Sequence, residues 1–226
     1  MKKTIIGIAN GKKRSLVIVA AIAAVMMIGG ASAYFTSTDS ADNTWTVGTV
    51  TIDLHEDEYD AAEDEREGIT PNMDLTKDPV ITNTGDNPAY VFVQFSVPKA
   101  NVKVASQDGA TVSQELQELF DFTINSGWSR VGAIEGDVSN TYIYAYGSEA
   151  ECQVLAPEAS TPVLFKDSKI TFKNIVEGQG LEGTTLEIPV EAYGIQTTDI
   201  TAGDVKTPSA VWSVLNGQVS QNHPLD

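Results

Sequence analysis

Tyr90–Val97 reads YVFVQFSV, and its two-residue period decides the fold class. Alternation puts Val91, Val93, Phe95 and Val97 on one side, the pattern of a strand with one face in a core. Pro98 has no N–H to offer a ladder and is expected to end the strand. Upstream, Thr44–Leu54 (TWTVGTVTIDL) places Trp45 and Val47 on one face. After a phase slip at Gly48-Thr49 come Val50, Ile52 and Leu54, so a strand with a β-bulge is expected. Downstream, Thr141–Tyr146 (TYIYAY) alternates, and Ile170–Ile175 and Thr185–Tyr193 (TLEIPVEAY) add two strands. The last of these faces Leu186, Ile188, Val190 and Ala192 inward, and Pro189 marks it as an edge strand or one with a ladder gap. Turn clusters fall at Asn83–Pro88, Ser126-Gly127 and Gly178–Gly183. Two short helices are expected. Thr111-x-x-Gln114 resembles a capping box ahead of Leu116, Leu119 and Phe120, and Thr207-Pro208 opens a helix over Ser209–Leu215 that Gly217 closes. Many short strands without a βαβ rhythm predict an all-β fold. It should be an antiparallel sandwich, jelly-roll-like or Ig-like, with one or two short helices.

The chain has 226 residues, enough for one large core, and 42% of them are hydrophobic. Its formal net charge of −17 excludes ordinary nucleic-acid binding, which needs clustered Lys and Arg. Residues 1–33 hold five of the 14 basic groups and none of the 31 acidic ones, leaving 9 basic against 31 acidic, a net of −22, for residues 34–226. Such asymmetry marks a targeting element joined to an acidic body.

That element has the layout of a secretory signal. A basic segment from Lys2 to Arg14 precedes the apolar run Leu16–Ile28 and the small-x-small site Ala31-Ser32-Ala33. Residues 1–33 are read as a signal peptide cleaved between Ala33 and Tyr34. The apolar run is shorter than the roughly 20 residues of a membrane span, so no stable transmembrane anchor is expected after cleavage; the alternative reading, with no charge between Ser15 and Thr38, is an uncleaved anchor with its basic end inside. Residues 34–226 are read as a single sandwich domain with a flexible arm over 34–43.

Residues 55–68 form an acidic loop, in which His55–Glu67 (HEDEYDAAEDERE) holds eight carboxylates beside Arg66. The expected role is a solvated connection between strands, since the spacing is not that of a calcium loop. Gly178–Gly183 matches G-x-G-x-x-G, yet a strand follows it rather than a helix, and Glu182 would face the phosphate. A hairpin loop is expected. His55-Glu56 lacks the second histidine of H-E-x-x-H, and His223 lies in a polar tail. Cys152 lies beside Glu151, which opposes thiolate formation, so a structural thiol is expected. The residues offer no catalytic constellation, no cofactor site and no metal site, and the chain is read as a non-enzyme.

What they do offer is an arm. Tyr34–Val50 begins polar and passes into β-prone alternation. A freed terminal strand can add to the open edge of a second copy, and head-to-tail repetition of that contact gives a fibre. The competing expectation is that the strand pairs within its own domain.

Several motifs, taken in order, resemble the TasA/CalY/camelysin family of Gram-positive exported proteins. They are Gly30–Thr36 (GASAYFT), Asn43–Leu54 (NTWTVGTVTIDL), Ile81–Val97 (ITNTGDNPAYVFVQFSV), Val190–Gln196 (VEAYGIQ) and Ala210-Val211-Trp212. The resemblance implies processing by a SipW-type signal peptidase at Ala31, Ala33 and Tyr34. It implies a jelly-roll-like sandwich secreted to the cell surface or biofilm matrix, with itself and related matrix subunits as partners. It also implies fibre assembly by donation of the mature N-terminal strand, here Tyr34, Phe35, Trp45, Val47, Val50, Ile52 and Leu54. Camelysin is described as a metalloendopeptidase, an activity this chain has no zinc-binding helix to support. That enzyme and a monomeric surface-binding module are the alternative readings.

Overall fold

The computed structural model describes residues 49–106, 110, 113–200 and 206–222. The described residues all belong to one compact unit. Its strands are β1 (Ile52–His55), β2 (Asp74–Thr76), β3 (Val80–Asn83), β4 (Ala89–Val102), β5 (Glu115–Glu118), β6 (Phe120–Ile124), β7 (Trp128–Glu135), β8 (Ser139–Tyr146), β9 (Phe165–Phe172) and β10 (Val190–Gln196). Among the described residues there are also two α-helices, α1 (Asp57–Ala61) and α2 (Pro208–Asn222), and a 3₁₀ turn at Glu63–Arg66.

The result is the all-β antiparallel sandwich that the sequence predicts. One layer runs β10-β4-β8-β7, with β5 on the overhang of β4; the other runs β2-β9-β6, and β1 pairs with β3. Thr161 N–H donates to Ile81 O and Leu164 N–H to Pro79 O, joining β3 to the run that leads into β9. Phe95 of β4 meets Phe122 of β6 and Phe165 of β9 across the layers, at ring-centroid distances of 5.1 and 5.0 Å.

β4 carries Val91, Val93, Phe95 and Val97 into this core, as the alternation predicts. Its other face is buried too. Tyr90 and Phe92 join Ala145, Ile195, Val211 and Leu215 in a second cluster under α2, and Trp212 lies 5.3 Å from Phe92. β4 also runs past Pro98 to Val102, correcting the expected end. Pro98 lies opposite Ser139, and the next ladder bond, Lys99 N–H to Val138 O at 2.8 Å, bypasses it. A proline is tolerated where its nitrogen owes no bond.

Four other expectations need correction. The segment read as a capped helix is β5 followed by β6: Lys99–Val102 of β4 offers backbone groups beyond the end of β10, and Glu115–Glu118 pairs with them. The strand expected at Thr185–Tyr193 begins only at Val190, because Pro189 contributes its carbonyl alone, to Ser96 N–H. The strand expected at Ile170–Ile175 spans Phe165–Phe172, where Asp167 and Ser168, at φ 57° and 56°, break the alternation that would reveal it. α2 continues through Gly217 to Asn222.

Candidate functional site

Ala31, Ala33, Tyr34, Phe35, Trp45 and Val47 lie outside the described residues, as does His223. Val50, Ile52 and Leu54 lie within them, half-buried on one face while Thr49, Thr51 and Asp53 are exposed. That is the predicted alternation. All three pack against the inter-sheet core. β1 pairs with β3 of its own chain, Ile52 opposite Asn83 and Leu54 opposite Ile81. The competing expectation, pairing within the domain, therefore describes this part of the segment.

The turn from β3 to β4 seats the approach to β1. Thr84 and Gly85 donate N–H bonds to Thr51 O, and Asp86 and Asn87 donate to Thr49 O. The turn itself is organised by Asn83, whose fully buried amide donates to Asn87 O and Leu155 O and accepts from Gly85 N–H. Gly85 has to be glycine: a Cβ there would lie 2.5 Å from Thr49 O and 2.6 Å from Thr51 N. At Gly194 of β10, a Cβ would meet Ile52 Cγ2 at 3.1 Å. The small residues of the NTGDNP turn and the VEAYGIQ strand thus shape the bed on which β1 lies.

Beyond the far end of β1 lies a groove of about 960 Å³. Phe120, Ile170 and Phe172 of the β2-β9-β6 layer line it, facing Leu186 and Ile188 of the irregular run before β10. The acidic segment borders it through Tyr59, Ala62 and Ile69. That segment is more than the solvated connection expected from composition. Asp78, 4% exposed, accepts N–H bonds from Glu58 and Tyr59 at 2.8 and 2.9 Å. Beside it Lys77, 8% exposed, pairs with Glu56 Oε2 at 2.9 Å and stands 4.8 Å over the Tyr59 ring. Charges so buried are expensive unless paired and hydrogen-bonded, and these are. Lys and Asp are residue types seldom buried, so nothing in the local sequence signals the pair.

The other candidates resolve into structural roles. In the Gly178–Gly183 loop, the Glu182 carboxylate accepts from Gly178 and Gly180 N–H, and the backbone donors hold its pKa below the usual range. The side chain occupies the place an anion would take. His55 stands 4.0 Å from Asp53, and no group of three or more His, Cys, Asp or Glu among the described residues is arranged to hold a metal. Cys152 is buried under α2, and burial first, then Glu151, pushes its thiol up to about 12.

No known family model, curated protein or solved structure matches the chain.

Proposed function

We propose that the chain is an exported structural protein that assembles at the cell surface or in the extracellular matrix by donating its mature N-terminal strand to a second copy. The observation that carries the reading is the position of β1. It is four residues long, follows directly on the segment read as the arm, pairs with β3 alone among the described strands, and, with Val50 just before it, lays Ile52 and Leu54 half-buried against the core. A terminal edge strand of this kind can be exchanged between copies with every contact conserved, because the same segment from a neighbour meets the same bed. The signal layout ahead of Tyr34 and the resemblance to TasA-like proteins support export and the same mode of assembly.

The test compares protein beginning at Tyr34 with protein lacking residues 34–54, by electron microscopy and sedimentation. The longer form should give fibres and the shorter form should not. A synthetic peptide spanning Thr44–Leu54 should bind the truncated form and cap growth of the longer one. If both forms stay monomeric in all conditions, or the truncated form polymerises equally well, strand donation is wrong.

A further inference from the structure

We propose that the acidic strap from Glu56 to Pro71 is a movable lid along one wall of the groove, held in place by two adjacent residues, Lys77 and Asp78. This inference is independent of the assembly reading. α1 contains no buried residue, and its N-cap residue, Glu56, makes no side-chain capping bond. The capping role falls to Asp78, twenty residues away in sequence, whose carboxylate takes the N–H groups of Glu58 and Tyr59. Those are two of the donors a helix start leaves without partners. Lys77 fixes the same end through Glu56 and the face of Tyr59.

Beyond that latch the strap contributes Tyr59, Ala62 and Ile69 to the groove wall. Its remaining carboxylates oppose docking, since seven of the eight in His55–Glu67 are left once Glu56 is paired with Lys77, on an already acidic protein. The return end has a pivot. Gly68 has φ 65° with open space where a side chain would be, and Asn72, at φ 63°, is tied to β9 by its N–H to Phe172 O. The strap thus has a polar latch at its start, a pivot at its return end, and apolar Leu75, Ile170 and Phe172 behind it. Loss of the latch should free the strap as a unit while leaving the sandwich paired, because β1-β3 and β2-β9 pairing does not depend on it.

The test is amide hydrogen exchange on the full chain for Asp78→Ala and Lys77→Met, beside the wild type and the charge-conserving Lys77→Arg. Both latch variants should speed exchange over residues 57–70 by about tenfold while β4 and β8 keep wild-type protection, with Lys77→Arg staying close to wild type. The same two variants should show increased fluorescence of an apolar dye as the groove opens. Three results would overturn the proposal: unchanged exchange over the strap, an equal rise in β4 and β8, or a freed strap with no gain in dye binding.

Discussion

Gly85 shows how one residue of the β3–β4 turn governs the seating of β1. Any side chain there drives a Cβ into backbone rather than into a movable side-chain tip, with Thr49 O at 2.5 Å. Gly85→Ala should therefore cost about 1–3 kcal/mol in urea unfolding, the range for forcing atoms into a packed site. Gly194→Ala should cost less, because its nearest neighbour is the Ile52 Cγ2 methyl at 3.1 Å, which can yield. Cys152 makes a different prediction. Its folded-state pKa is raised from 9.0 to about 12, so the neutral thiol is favoured by folding. The associated stability is present below pH 9 and is lost as pH rises from about 9 through 12. Tyr142, raised from 10.0 to about 12 by burial and then by its hydrogen bond to Glu118, adds to the same window from pH 10. Alkylation at pH 8.5 should label Cys152 only after denaturant is added, and the urea midpoint should fall between pH 9 and 12. Rapid labelling of the folded chain would contradict this burial.

At the scale of elements, β4 is the organiser. Phe95 touches Phe122, Tyr142, Tyr144 and Phe165, all within 6.0 Å between ring centroids, so it closes the core from both layers. Phe95→Ala should lower stability by about 3–5 kcal/mol, as large-to-small changes in aromatic cores do. Val211→Asp would place a charge under α2, where Val211 is fully buried, and should release the helix with loss of helical signal while the strand signal persists. What was legible in the sequence follows from the same element. The inward set Val91, Val93, Phe95 and Val97 is a property of period two and could be read directly. The burial of Tyr90 and Phe92 could not, because it depends on a helix more than a hundred residues later folding over that face. At β5, local spacing misled: Leu116, Leu119 and Phe120 have helical separation, yet the open ladder on Lys99–Val102 decided the outcome. The latch was invisible for a related reason. Lys77 and Asp78 are of residue types seldom buried, and their partners Glu56, Glu58 and Tyr59 lie about twenty residues away in sequence. In the candidate site, the alternation of Val50, Ile52 and Leu54 was legible, whereas their partner strand was a matter of topology.

For the whole molecule the governing quantity is charge. Residues 34–226 carry a net −22, and the ion pairs Lys169–Asp74, Lys173–Asp121 and Lys206–Glu151 are loose surface contacts of 3.4–3.8 Å. Exposed pairs of this kind contribute little, so most of the acidic surface stays uncompensated. Two copies brought together would repel over the screening length, about 10 Å at 0.1 M salt. The proposed strand donation would still bring them together, because its attraction would come from backbone pairing and from burial of Val50, Ile52 and Leu54, neither of which needs opposite charges. Salt, divalent cations and pH near the carboxylate range should all weaken the repulsion and leave that attraction in place. Assembly of protein beginning at Tyr34, followed by turbidity and electron microscopy, should therefore speed up as salt rises from about 10 to 500 mM, with a Debye length falling from about 30 Å to under 10 Å. Millimolar divalent cation should speed it further at constant ionic strength. Charge complementarity between subunits predicts the opposite order, with fastest growth at low salt and neutral pH. That result would mean the copies meet through oppositely charged patches, and the exchange of β1 would no longer be the contact that builds the fibre.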